Sequence, residues 1–243
     1  MLILALESSA KAASCALCRD DFLVAQAFQN SALTHSVTLL PMVEDMLKNC
    51  SVALDQIELV AVAAGPGSFT GLRIGVAEAK GLAWARGPPC AACSTLESMA
   101  WNLSHLEGQE ICCCMDARRS QVYAARFRVE KGVPVRLTQD DAVSLEALAD
   151  EIEKNSKKSQ IIVGDGWELC YNGFQRRGIA CSVAPPHLRY QSAWGVGRCA
   201  LELARRDALT TAAALAPDYH RLSQAERERL ERQTMNKGEG QNG

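Results

Sequence analysis

Histidine is scarce in this chain of 243 residues: His35, His105, His187 and His220 are the full set, and no two lie close in sequence. Neither H-E-x-x-H nor another spaced pair of His ligands occurs, so zinc peptidase chemistry has no carrier here. A surplus of one charge is missing too. Lys plus Arg number 26 against 28 Asp plus Glu, giving a net charge of −2 and a pI near 6.1. A lone nucleic-acid binder normally carries a basic footprint, so any RNA contact must be local or shared with a partner. No stretch of about 18 apolar residues lacks a charge or turn signal, which argues against a membrane span. The first residues read directly as a strand, without a basic n-region or cleavage site. The expected location is the cytoplasm.

Cysteine, by contrast, is plentiful at eleven residues. The count is odd and the chain is not a small secreted one, so a disulfide framework is not expected. Cys15 and Cys18, and likewise Cys90 and Cys93, have C-x-x-C spacing, but both pairs fall in strand-like runs. Residues three apart on a strand point to opposite faces and cannot chelate one ion without a turn. Cys112-Cys113-Cys114 sits in an apolar strand, where Cys acts as a small hydrophobe.

The most informative segment is Gly65-Pro66-Gly67-Ser68-Phe69-Thr70-Gly71-Leu72-Arg73-Ile74-Gly75. A buried strand pattern, Leu59 to Ala63, precedes it, and a helix rich in Ala and Gly follows. Strand, glycine loop and helix form the usual setting of an anion site. The spacing matches neither G-x-x-x-x-G-K-[ST] nor G-x-G-x-x-G, so the segment needs its own explanation.

Along the chain, residues 2 to 28 read as a β-meander turning at Arg19-Asp20-Asp21. A helix over Thr34 to Asn49 carries two apolar stripes: Val37, Leu40, Val43 and Leu47, and beside them Leu39, Met42 and Met46. Pro41 interrupts this pattern and predicts either a kink or the start of the regular part. The next helix, about Thr70 to Arg86, has Gly71, Gly75 and Ala79 at four-residue intervals, a flat edge that permits close approach. A strand near Cys90 to Ala92 and a helix near Thr95 to Ser104 follow. Ile111 to Met115 then opens a second lobe as Leu2 to Leu6 opened the first. The second lobe continues with a hairpin through Gln121 to Val129, a helix capped by Ser144, a short strand Ile161 to Val163 and a helix over Trp194 to Arg206. The expected lobes span residues 1–105 and 106–221, with the helix near 194–206 able to pack back on the first. Residues 222–243 are charged, then Gly/Asn-rich, and are expected to be disordered, with a solvated helix over Ser223 to Gln233. The pattern alone gives a mixed-sheet α/β protein.

The glycine segment resembles the signature of the TsaB (YeaZ) family, bacterial proteins needed to make threonylcarbamoyladenosine in tRNA. Further residues carry the resemblance: Leu2 to Ser9, His35-Ser36 with Leu39 to Met42, Ser94-Thr95-Leu96, Met115 to Arg119 with Val122-Tyr123, and Pro217 to Arg221. Departures are Glu7 where Asp is usual, Ser120 where Gly is common, and His220 for Leu. The resemblance implies a two-lobed actin-like ATPase (ASKHA) fold, with mixed sheets flanked by helices. It also implies a scaffold for the paralogue TsaD, with the ATPase TsaE in the same assembly and tRNA engaged through the complex. TsaD carries the metal and moves threonylcarbamoyl from its adenylate to adenosine-37. This chain, lacking clustered ligands and an evident nucleophile–base pair, is expected to have no catalytic activity of its own.

On this reading no cofactor is required by the chain, and ATP or ADP belongs to the complex. In an actin-like fold Glu7, Ser8, Gly164 and Asp165 would face the interlobe cleft and are the candidate nucleotide contacts. Against them, Ala10 to Ala13 lack the glycine of a phosphate-binding hairpin, and the other reading makes Ser8 to Lys11 a plain hairpin turn with Glu7 a surface carboxylate. Asp116 and Arg118, at a strand end, read as an ion pair or as ligand contacts. TsaB-like proteins pair through the first two helices, with TsaD or with a second copy. That implies Leu39, Met42, Met46, Gly71, Gly75 and Ala79 as the partner surface; packing of the two helices on each other is the other reading. The alternative function is a stand-alone ATPase or small-molecule kinase on the same fold.

Overall fold

The computed structural model describes residues 1–220 except Ala32, Ala85 and Arg119. The expected tail from 222, its helix over Ser223 to Gln233 and Arg221 of the terminal motif lie outside the described residues. The first sheet contains β1 (Leu2–Glu7), β2 (Ala13–Arg19), β3 (Phe22–Gln29), β4 (Leu59–Gly65) and β5 (Cys90–Ser94), in the order β3-β2-β1-β4-β5. Helices α1 (His35–Asn49), α2 (Phe69–Trp84) and α3 (Thr95–Trp101) are interspersed. The second sheet holds β6 (Glu110–Asp116), β7 (Gln121–Glu130), β8 (Val133–Arg136), β10 (Gln160–Val163) and β11 (Cys181–Val183), in the order β11-β10-β6-β7-β8. Strand β9 (Asp141–Ser144) pairs with β7, and α4 (Leu145–Asn155), α5 (Trp167–Arg176) and α6 (Ala193–Arg205) complete the chain.

The two sheets share one plan. In each, the first strand is antiparallel to the second and parallel to a later strand. Each first strand is central and buried on both faces, which is why its interior, Leu2 to Leu6 and Ile111 to Met115, is apolar rather than alternating. Leu2, Leu4 and Leu6 face α1 and α2, whereas Ile3 and Ala5 face α6. Cys112 and Cys114 pack against α4 and α5, and Cys113 against α3. The triple cysteine is therefore a strand passing small apolar groups to both sides. Cys15 and Cys18, and Cys90 and Cys93, also divide between opposite cores.

Helices cross between the lobes. α3 follows the first sheet but packs on the second, where Leu96 and Met99 join Ile111, Cys113 and Phe127. α6 follows the second sheet but packs on the first, where Val196 and Ala200 join Ile3, Ala5 and Ala61. They cross closely at Gly195, where a Cβ would collide with the Ser98 carbonyl. Ser94 and Ser144 cap α3 and α4, accepting from the N–H of Glu97 (3.0 Å) and Ala147 (3.1 Å). α1 runs through Pro41 without ending, with Pro41 on its exposed side.

The partner surface expected from the sequence needs correction. Leu39, Met46, Gly71, Gly75 and Ala79 are buried within the chain, and Met42 is half-buried. The glycine edge of α2 is flat because β1 lies under it. A Cβ at Gly71 would collide with the Ser8 carbonyl, and one at Gly75 with the Ser8 hydroxyl. On α1 the inward side is Leu39, Val43, Met46 and Leu47, mixing the two expected stripes, while Val37 is 68% exposed.

Candidate functional site

Two regions carry the chemistry: the lobe junction and the outer flank of α1 and α2. At the junction, β1 delivers Glu7 and Ser8, and the turn after β10 delivers Gly164 and Asp165. Glu7 is fully buried. One carboxylate oxygen accepts the Ser9 N–H at 2.6 Å, and the other, Oε2, has no partner among the described residues. Burial pushes its pKa up to about 7, and the charge of Asp165 adds to the rise against the Ser9 bonds. Asp165 is itself raised, first by burial, then by Asp116, while Gln191 and Lys11 oppose. Gln191 Nε2 donates to Asp165 at 3.0 Å, and its Oε1 is buried without a partner among the described residues. The junction thus gathers two buried acids, the charge of Asp165 raising Glu7, beside unsatisfied oxygens of Glu7 and Gln191.

The glycine segment does not form a phosphate cradle. Ser68 N–H is taken by the Ser9 carbonyl at 2.7 Å, and a Cβ at Gly67 would stand 2.6 Å from that same oxygen. Ser8 Oγ donates to the Gly71 carbonyl at 2.9 Å. A Cβ at Gly65, with φ +149°, would collide with the Asp218 carbonyl, and Asp218 N–H donates to Ala64 at 2.7 Å. Tyr219 stacks on Phe69 at 4.8 Å and accepts from Arg73 Nε at 2.9 Å. The segment explains itself as the place where the end of β1, the start of α2 and Asp218-Tyr219 press together. Ser8 and Ser9 fill the space beside Gly67, Gly71 and Gly75, so these glycines serve close packing. On the second lobe, a Cβ at Gly164, with φ +111°, would collide with the Cys114 carbonyl, so this glycine too serves close packing.

Among the described residues, no three His, Cys, Asp or Glu side chains converge as a metal site would require. His35 Nε2 lies 2.6 Å from the Ala10 carbonyl, fixing the start of α1 to the β1–β2 turn. Asp116 accepts the Arg118 N–H at 2.7 Å, closing the turn after β6.

The outer flank exposes large apolar residues among charged ones such as Glu44, Asp45, Lys48 and Arg73. Leu33, just before α1, is 59% exposed, and on α2 Trp84 is 71% exposed. Ala77 and Gly81 lie on the same side of α2 as Trp84, with Arg73 at its start. Glu78, half-buried on α2, has one oxygen without a partner, and burial pushes its pKa up to about 7. Sequence reading passed over Trp84 and Glu78. Their signal lay in the helical spacing of Ala77, Gly81 and Trp84, which the buried Gly71, Gly75 and Ala79 series overshadowed.

The repeated strand order, the exchanged helices and acids at the junction define a two-lobed α/β protein of the actin-like ATPase fold. The family model "TsaD: tRNA N6-adenosine threonylcarbamoyltransferase" matches residues 29–228. The tRNA threonylcarbamoyladenosine biosynthesis protein TsaB of Bacillus subtilis is 32% identical, over 96% of this chain and 100% of that protein. TsaB of Escherichia coli is also 32% identical, over 69% of this chain and 73% of its own length. A Pseudomonas aeruginosa structure, described as an uncharacterized protein with similarity to peptidase YEAZ, is similar at TM-score 0.75 and 26% identity. It covers 90% of this chain and 99% of that one. The chain belongs to the TsaB family.

Proposed function

We propose that this chain is a non-catalytic scaffold subunit in making threonylcarbamoyladenosine at adenosine-37 of tRNA, pairing with and supporting the catalytic paralogue TsaD. Family membership along nearly the whole chain supports this reading, since a relative matched over 96% of it is named a tRNA threonylcarbamoyladenosine biosynthesis protein. The observation that carries the scaffold part is the outer flank of α1 and α2, where Val37 and Trp84 are more than two-thirds exposed on helices whose inner faces are already filled. Contiguous exposed apolar surface marks association sites, and Val37, Leu40 and Trp84 are the large apolar residues that α1 and α2 leave exposed. The partner surface thus keeps the two helices expected from the resemblance and moves to their outer sides. In isolation a second copy occupies the same flank, and TsaE joins the assembly through the TsaD pair.

The junction acids fit a subsidiary role. ATP or ADP belongs to the assembly, since Ala10 to Ala13 lack the glycine of a phosphate-binding hairpin. An independent ATPase or kinase would need such a hairpin. Peptidase chemistry is not proposed, since the four histidines are scattered.

The experiment is co-purification with the TsaD protein of the same source, using Val37→Glu and Trp84→Glu together. Circular dichroism should be unchanged, because both side chains are exposed. TsaD capture should fall by about a hundredfold, from charge placed in an apolar contact. Unchanged capture by the folded variant would remove the flank from the reading.

A further inference from the structure

Helix α2 has two sides with opposite fates. Placed at about 100° per residue, Phe69, Arg73 and Lys80 share one side, and Ile74, Glu78 and Leu82 share the other. The first side is occupied by the chain itself. Lys80 Nζ donates to the carbonyls of Ala213 (3.2 Å) and Leu215 (3.0 Å), and Tyr219 lies on Phe69. The second side borders α1, and Leu82 packs with Met42 of α1 against one core cluster.

Glu78 is the acid on that border. The residue is half-buried, and one carboxylate oxygen is buried without a partner among the described residues. The elements packed against α2 are α1, β1 and β4. Their charged side chains are His35, Glu44, Asp45 and Lys48 on α1 and Glu7 on β1; α2 adds Arg73 and Lys80. None of these bonds to Glu78, and burial alone moves its pKa, up to about 7. Beside it on the exposed face stand Ala77 and Gly81, and a Cβ at Gly81 would meet nothing within 4 Å. A long side chain crossing this low part of the helix reaches the carboxylate unobstructed.

We infer that Glu78 is the polar anchor of the α1–α2 partner surface, accepting a charged hydrogen bond from a lysine or arginine of the partner that enters over Ala77 and Gly81. This anchor presupposes the proposed pairing with TsaD and fixes the chemistry that TsaD must present there. A partner seated on the flank removes the water that reaches Glu78, and an enclosed carboxylate without a counter-charge is strongly disfavoured. The chain offers it no cation, so the partner must. The other way to lose that water is a protonated Glu78 beneath an apolar contact, and the two differ in sign. Meeting a cation, Glu78 releases its proton on binding, so affinity rises as pH rises through about 7. Covered by apolar groups it takes up a proton, and affinity falls over the same range.

The test measures the affinity of the full chain for TsaD of the same source by biolayer interferometry between pH 6 and pH 8. Wild type, Glu78→Gln and Val37→Glu/Trp84→Glu are compared. Wild type should bind about tenfold more tightly at pH 8 than at pH 6, beyond any change that Glu78→Gln shows, because the amide does not titrate. At pH 8 Glu78→Gln should bind about tenfold more weakly than wild type, through loss of the charged bond. Glu78→Ala takes its place should the glutamine variant fail to fold. A pH slope that the variant shares overturns the anchor. So does wild-type affinity that falls as pH rises, or equal binding of the folded variant at pH 8. Loss of binding by Val37→Glu/Trp84→Glu with none by Glu78→Gln removes the anchor and keeps the flank. Unchanged binding by the folded Val37→Glu/Trp84→Glu chain removes the flank, and the anchor with it.

Discussion

Glu7 has one oxygen bonded and the other unsatisfied in a fully buried setting. Its pKa rises from 4.5 to about 7 on folding, first through burial. The folded state therefore holds this proton more tightly than the unfolded state. Stability from the protonated carboxyl is fully present below pH 4.5 and is lost as pH rises through about 7. Glu7→Gln removes the titration. Between pH 5 and 8, wild type should lose about 3 kcal/mol that the variant keeps, read as chemical denaturation at each pH. A variant with the same pH slope would show that Glu7 is not the titrating group. Glu110 behaves oppositely. Burial pushes it up, but bonds from Arg128, Gln160, Ser156 and Arg126 outweigh that and hold it near about 2. It stabilises the fold above its unfolded value and is lost only in strong acid, so the two acids are separable by pH window.

At the scale of elements, α2 decides how the sequence is read. Its Gly71, Gly75 and Ala79 edge was legible as a close-approach surface, and close approach is what it makes. The sequence could not tell whether a partner helix or the chain's own β1 would fill it. Burial of Ser8 beneath the helix answers this. Gly75→Arg should therefore unfold the first lobe, with loss of the cooperative thermal transition, since Ser8 and Val62 already occupy the space. A folded Gly75→Arg chain that merely loses its partner would return this edge to the interface. The wide apolar arc of α1 divides differently from its two expected stripes. Val37 and Leu40 are outward and Leu39 and Met46 inward, a rotation that 3.6-residue periodicity cannot fix once both stripes are apolar. Strands at Leu2 and Ile111, and the caps at Ser94 and Ser144, followed from pattern and chemistry. α5 did not. It starts on Gly166 without a side-chain cap and places Gly173 inside, where Leu145 packs against it.

For the whole molecule, duplication was visible as two openings by buried strands, and the shared strand order makes it explicit. The exchange of α3 and α6 was only partly visible. It depends on backbones crossing at Gly195 and Ser98, contacts nearly a hundred residues apart that no local pattern encodes. This exchange ties the lobes at the junction and leaves α1 and α2 outside, which suits a subunit that presents a surface while another chain performs the transfer. The most direct measurement of that division of labour is a reconstituted modification reaction containing tRNA, threonylcarbamoyl-adenylate, TsaD and TsaE of the same source. The chain is then omitted, added, or replaced by Val37→Glu/Trp84→Glu. The account predicts modification of adenosine-37 with the wild-type chain, a loss of about a hundredfold without it or with the folded variant, and none from the chain alone. Transfer by the isolated chain, or full modification in its absence, would contradict it.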